Sequence, residues 1–155
     1  MPGRDVFPGF SSPNGTIVPD EFFDVLMPQL SESELRVLLY IIRRTLGFKK
    51  HADTISLKQM TDGITTRDGA VLDRGTGLSK ASAARGVKRL LERGIIVVKR
   101  NRSAHRGFEP TTYTLRFKDD PAPLSHRETH NKQEDNKQTS TVEAQHNPEI
   151  RDKQR

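Results

Sequence analysis

Apolar residues recur at helical spacing in two long stretches of this chain and alternate like strands in a third. In "SESELRVLLYIIRRTLGF" (31–48), Leu35, Leu38, Leu39, Ile42 and Leu46 fall three or four apart, with Val37 and Ile41 widening the stripe. Ser31 and Glu34 have the spacing of a capping box, and Gly47 suits a left-handed stop, so this is the expected central core helix. In "SKASAARGVKRLLERG" (79–94), Ser79 is the expected N-cap and Gly94 stands just past the end. Ala83, Val87, Leu90 and Leu91 form its inner side. Two shorter helices are expected. One runs from Pro19 to Met27, with acids in its first turn, Pro28 as its stop and Phe22, Phe23 and Leu26 buried. The other starts at Ser56, buries Leu57 and Met60 and ends near Gly63.

The period then changes. "IIVVKR" (95–100) and "TTYTLRF" (111–117) are β-branched runs, the second placing Tyr113, Leu115 and Phe117 on one inward face. Between them "NRSAHRGFEP" is polar and basic, which predicts a β-hairpin with a charged tip. A second, smaller hairpin is expected at 64–73, where "TTRDGAVL" carries an Asp-Gly pair suited to a tight type I′ turn. Its bland role is a spacer that packs Ile64, Val71 and Leu72 on the domain. Its functional role is a prong reaching a phosphate through Arg67 or Arg74.

The order of short helix, capped second helix and basic hairpin defines the expected architecture. It is mainly α with a small β-hairpin wing (an α+β class), a winged helix-turn-helix with an extra hairpin inserted in the turn. Residues 1–18, rich in Gly, Pro, Ser and Asn, read as an extended arm, and 19–117 as the DNA-binding domain. From Lys118 onward there are seven Lys/Arg, eight Asp/Glu, no aromatic and few apolar residues. Such a segment buries too little apolar surface to offset chain entropy, so 118–155 reads as a disordered polar tail.

Charge sharpens this picture. The chain carries +6 overall, yet residues 80–106 hold nine Lys/Arg and one acid, Glu92. A basic block confined to one part of a domain is the footprint of a polyanion partner. "RGTGLSKAS" (74–82) resembles a phosphate-binding loop only superficially. The P-loop needs glycine immediately before the lysine and a strand leading in, whereas Ser79 precedes Lys80 here. A helix start accounts for every residue instead, since Gly77 turns the chain, Leu78 anchors it and Ser79 caps the helix. Lys80, Ala81, Ser82, Ala84 and Arg85 then face outward. Small residues let the helix approach a groove about 12 Å wide, and Lys80, Ser82 and Arg85 reach base edges. Lys88, Arg89, Arg100, Arg102 and Arg106 hold phosphates, and His105 in the wing is solvated or faces a phosphate.

Other chemistries find little support. The chain has no cysteine, which excludes disulfides and thiolate metal sites. "VLLYII" (37–42) is too short to span a bilayer, and the N-terminus lacks a signal-peptide core, which points to a soluble cytoplasmic protein. Strand-borne tyrosine nucleases pair their tyrosine with a His-x-His. Here Tyr40 lies in the core helix, Tyr113 points inward and no His-x-His exists. The loop acids Asp68 and Asp73 have turn or cap roles, and the five histidines are scattered, so neither catalysis, a cofactor nor a metal is expected.

"SPNGTIVPDEFFDVLMPQLSESELRVLLYIIRRTLGFKKHADTISLKQM", followed by "TGLSKASAARGVKRLLERGII", resembles the N-terminal domain of the phage replication protein O family. The resemblance spans about residues 10–100, and the 64–73 insertion stands outside the plain family pattern. It implies a winged-helix domain that binds repeats in a replication origin as double-stranded DNA. It further implies a replicative helicase or its loader as partner. Two-fold sites are common for such domains, which makes a homodimer on DNA an expectation. The same fold also serves transcriptional regulators and protein-interaction modules. A promoter-confined site would mark the first, and a dispensable basic face the second.

Overall fold

The computed structural model describes residues 6–12, 14–100, 102–103, 107–108 and 110–120, with the backbone alone for 102–103 and 107–108. A π-helical turn at Phe22–Leu26 leads to α1 (Glu32–Arg44), a 3-10 turn (Leu46–Phe48), β1 (Ala52–Ile55) and α2 (Leu57–Asp62). The short strands β2 (Ile64–Thr65) and β3 (Val71–Asp73) precede α3 (Lys80–Glu92). The chain continues through β4 (Ile96–Lys99), β5 (Arg102–Ser103), β6 (Gly107–Phe108) and β7 (Thr111–Leu115). This is a mixed α+β arrangement of a few helices and small antiparallel sheets, and no helix among the described residues is long and apolar enough to cross a membrane.

α1 starts at the expected capping box. The Ser31 amide donates to Glu34 Oε2 at 2.8 Å, and the Glu34 amide donates to Ser31 Oγ at 3.4 Å. The helix buries Val37, Leu38, Ile41 and Ile42. Leu39, expected inside, is 40% exposed. At about 100° per residue the buried arc centres near Ile41 and Thr45, which carries Leu39 past its edge. The left-handed stop also moves. Lys49 takes φ 54°, whereas Gly47 keeps an ordinary negative φ, and a Cβ there would displace only the side-chain ends of Arg43 and Thr16, whose Nη1 and Oγ1 stand 2.7 Å from it. The first helix is shorter than the expected 19–27. It winds as a single π turn, Met27 N donating to Phe22 O at 2.8 Å, so Phe22 is buried while Phe23 turns outward.

β1 was not expected from the pattern. It has four residues, and only Ile55 is buried. It pairs with β7, which pairs on its other edge with β4, giving the order β1-β7-β4 with Asp53, Tyr113 and Val98 in one row. β7 ends at Leu115, so Phe117 lies beyond the ladder and is exposed, not inward. Residues 121–155, nearly all of the expected tail, lie outside the described residues, as do 1–5 and 13 of the arm.

The small hairpin β2–β3 forms where expected, but with another turn. A type I′ turn needs positive φ at both Asp68 and Gly69. Gly69 has φ 88°, while Lys49 is the one non-glycine with positive φ among the described residues. A wider loop closes on Thr66 instead: its amide donates to Ala70 O at 2.8 Å, its hydroxyl accepts from Ala70 N at 3.0 Å and its carbonyl accepts from Gly69 N at 3.0 Å. Val71 and Leu72 are 53% and 66% exposed, so they do not pack on the domain. The hairpin base is nonetheless seated firmly. Asp73 accepts from Gly75 N at 2.8 Å and from the Tyr40 hydroxyl at 3.1 Å, and Thr76 donates to Met60 O at 2.8 Å. Burial, then the Asp73 charge, push the Tyr40 hydroxyl up to about 12, so it remains a donor.

α1 and α3 cross closely. A Cβ on Gly86 would lie 2.9 Å from Ser33 O and 3.1 Å from Val37 Cγ2. At the far end of α3, Arg93 Nε donates to Glu34 Oε1 at 2.8 Å, and Glu34 is 1% exposed. Desolvation pushes the Glu34 carboxyl up, but hydrogen bonds from the Ser31 hydroxyl and amide, with Arg93 beside it, outweigh this and hold it below its usual 4.5.

Two expected outcomes follow. Gly86→Ala overpacks the crossing and lowers stability by about 1–3 kcal/mol in denaturant unfolding, whereas a change within error would show that the helices can part freely. A depressed native pKa means that the Glu34 carboxylate contributes stability above pH 4.5, lost as pH falls through the native value. Glu34→Gln therefore lowers stability at neutral pH and flattens the acid limb of the pH–stability curve, measured by thermal unfolding.

Candidate nucleic-acid interface

α3 presents the residues that the pattern singled out. Ser79 Oγ accepts from Ser82 N at 3.1 Å, the expected cap. Ala83, Gly86 and Leu90 are buried beneath the helix, with Val87 and Leu91 half-buried at its sides. Away from them, Ala81, Ala84, Arg85, Lys88 and Arg89 are exposed and Ser82 is half-buried, while Lys80, also exposed, stands at the helix start about 60° around from Ala83. The two alanines leave the middle of the first turns low, with cations around them.

These side chains do not form one cluster. Ser82, Arg85 and Arg89 follow one another at i, i+3 and i+7 along a single ridge, whereas Lys80 lies about 160° around the helix from Ser82. Arg85 Nη2 donates to Ser82 Oγ at 3.2 Å, and Ser82 Oγ lies 3.0 Å from Ser79 Oγ. The cap thus continues as a hydrogen-bonded chain that ends in a guanidinium. Lys88 approaches Glu92 at 3.9 Å, but both side chains are well exposed, so this pair does little to neutralise the face. Among the described residues Lys80, Arg85, Arg89 and Arg100 have no carboxylate partner.

Gly94, at φ 70°, turns the chain out of α3, and Ile95 N donates to Leu90 O at 3.0 Å, fixing the start of β4 to the helix end. Beyond the three-stranded sheet the ribbon continues as β5 and β6, with Arg102 opposite Phe108 and Ser103 opposite Gly107. Arg100 is exposed at its base. The side chain of Arg102 lies outside the described residues, and so do His105 and Arg106. Lys99 was missed as a candidate. It is exposed on β4 opposite Thr112, while Ile96 is buried and Val98 half-buried. "VVKR" gave no clean alternation to reveal it. Arg67 and Arg74 are exposed on the small hairpin.

The acids have structural roles. Asp73 braces the hairpin as described, and Asp53 accepts from Arg44 Nε at 2.7 Å. No group of three or more possible metal ligands occurs among the described residues.

Comparison with curated proteins and with solved structures gives no significant match. The family model described as bacteriophage replication protein O matches residues 16–108, more than half of the chain, and takes in all the elements from the π turn to β6. The chain therefore belongs to the bacteriophage replication protein O family, with a role in phage replication.

Proposed function

We propose that residues 19–117 form a winged helix-turn-helix domain that binds double-stranded DNA sequence-specifically at a replication origin. α2 and α3 would be the helix-turn-helix pair, the β2–β3 hairpin the enlarged turn, and the β4–β7 ribbon with β5–β6 the wing. The observation that carries the reading is the α3 face, which pairs a low alanine surface with an arginine held by Ser82 and with Lys80 and Arg89, which have no carboxylate partner among the described residues. A helix of this shape fits a major groove, where an arginine bonded to guanine contributes about 1–3 kcal/mol of discrimination. Ser82 and Arg85 reach base edges, joined by Lys80 from the other side of the helix. Lys88, Arg89 and Arg100, with Arg102, His105 and Arg106 in the wing, hold phosphates and set register. A replicative helicase or its loader is the further partner proposed from family membership, and the domain acts as a homodimer on two-fold sites.

Arg85→Ala and Arg100→Ala separate these roles. With a duplex selected from random sequence and a scrambled control, Arg85→Ala narrows the gap between the two affinities by about tenfold. Arg100→Ala weakens both equally and reduces the salt slope by about 0.9. Equal loss of discrimination in both variants, or no duplex binding at low ionic strength, overturns the proposal.

A further inference from the structure

Two adjoining hollows open beside α1 and share Tyr40, Arg43 and Gly75. The larger, about 460 Å³, runs between Phe48 on the 3-10 turn and Leu72 on the small hairpin, with Lys50 at its margin. The smaller, about 360 Å³, reaches Leu39 and Arg36. Together they make a groove whose apolar walls the fold does not cover: Leu39 and Leu72 are exposed as given above, and Phe48 is 53% exposed. None of these side chains is needed by the core, yet the hairpin that carries Leu72 is held rigidly. Gly63 and Gly75 let its two ends pass so closely that a Cβ on Gly75 would lie 2.5 Å from Gly63 N.

The charges in this groove are of two kinds. Asp53 and Asp73 are turned onto Arg44, at 2.7 and 3.8 Å, and Lys50 Nζ lies 3.5 Å from Asp53, so the two carboxylates inside are matched by two cations. At the rim Arg36 is paired with Glu32 at 2.6 Å, which leaves Arg43 as the cation in excess. Arg43 has no carboxylate partner among the described residues; it lies 4.5 Å from the centre of the Phe48 ring, and Lys50 lies 5.8 Å from it. Arg36 stands two helical turns before Arg43, about 10 Å along the axis.

An occupant must offer apolar surface to Leu39, Phe48 and Leu72 and negative charge to Arg43. A duplex backbone offers only charge and would leave the apolar walls uncovered. A single strand offers bases, but Leu39 and Leu72 are aliphatic and Phe48 already carries Arg43 on its ring, so a stacking platform is lacking. We propose that this groove docks an acidic amphipathic helix of a partner protein, its apolar side chains at helical spacing between α1 and the hairpin and a carboxylate on Arg43. The proposal does not depend on the DNA reading of α3.

The test uses the full chain and fluorescent peptides of about 15 residues, long enough to form a helix. One has leucines at i, i+3, i+4 and i+7 with glutamates elsewhere, and a second replaces each glutamate by lysine. An oligothymidylate of equal length is the third probe. The acidic peptide raises anisotropy in the micromolar range, and the basic peptide and oligothymidylate bind at least about tenfold more weakly. Leu72→Glu and Arg43→Glu, both at exposed positions, leave the thermal midpoint in place and weaken the acidic peptide about tenfold each. Arg43→Glu also improves binding of the basic peptide. Equal binding of the two peptides, tighter binding of oligothymidylate that the same substitutions reduce, or no acidic-peptide binding overturns the proposal.

Discussion

The close crossing of α1 and α3 is the constraint on which the other parts depend. At Gly86 the backbone of α3 comes so near Ser33 that no side chain fits between them. The same approach brings Arg93, the C-cap of α3, to the buried Glu34 in the first turn of α1. Glu34 therefore serves two elements at once, closing the capping box that starts α1 and fixing the end of α3. A buried carboxylate would ordinarily be unfavourable, and three hydrogen bonds at its oxygens reverse this. With α3 pinned at its middle and end, its inner side is fully used. The outer side, with Arg85 and Lys88, remains in water, as does Lys80 at the helix start.

A second set of polar contacts holds the pieces that the helices do not. Arg44, at the end of α1, reaches Asp53 on β1 and Asp73 on β3, and Tyr40 reaches Asp73 and the carbonyl of Gln59 in α2. One turn of α1 thus ties together a strand of the sheet, the base of the small hairpin and the second helix. The elements concerned are too short to bury much apolar area. β1 contributes Ile55, and β2–β3 contributes half-buried Ile64. Charge-assisted bonds at partly buried sites supply what their cores lack.

Long periodic segments and local caps were legible in the sequence. α1 and α3 begin at Ser31 and Ser79 as their spacing required, and the 64–73 hairpin lies where Asp-Gly placed it. What could not be read depended on partners distant in sequence. β1 has no strand pattern of its own, because it borrows its order from β7 some sixty residues later. Leu39 belonged to the expected stripe until packing rotated the buried arc away from it, and Phe23 lost its place when a π turn replaced an α turn. Gly86 drew no expectation from the pattern, and its use shows only against Ser33. The cations of α3 were legible from composition. Their division into a Ser82–Arg85–Arg89 ridge and a separate Lys80 follows from helix geometry, and the bond from Arg85 to Ser82 needed atomic positions.

That bond bears on the role proposed for Arg85. A free arginine side chain samples many rotamers, and freezing one opposes association by roughly 2 kcal/mol. The link from the Ser79 cap through Ser82 narrows the swing of Arg85 before any ligand arrives. In the proposed complex, less disorder would then be left to remove on contact. A helix cap, ordinarily a matter of folding alone, would there also ready a probe.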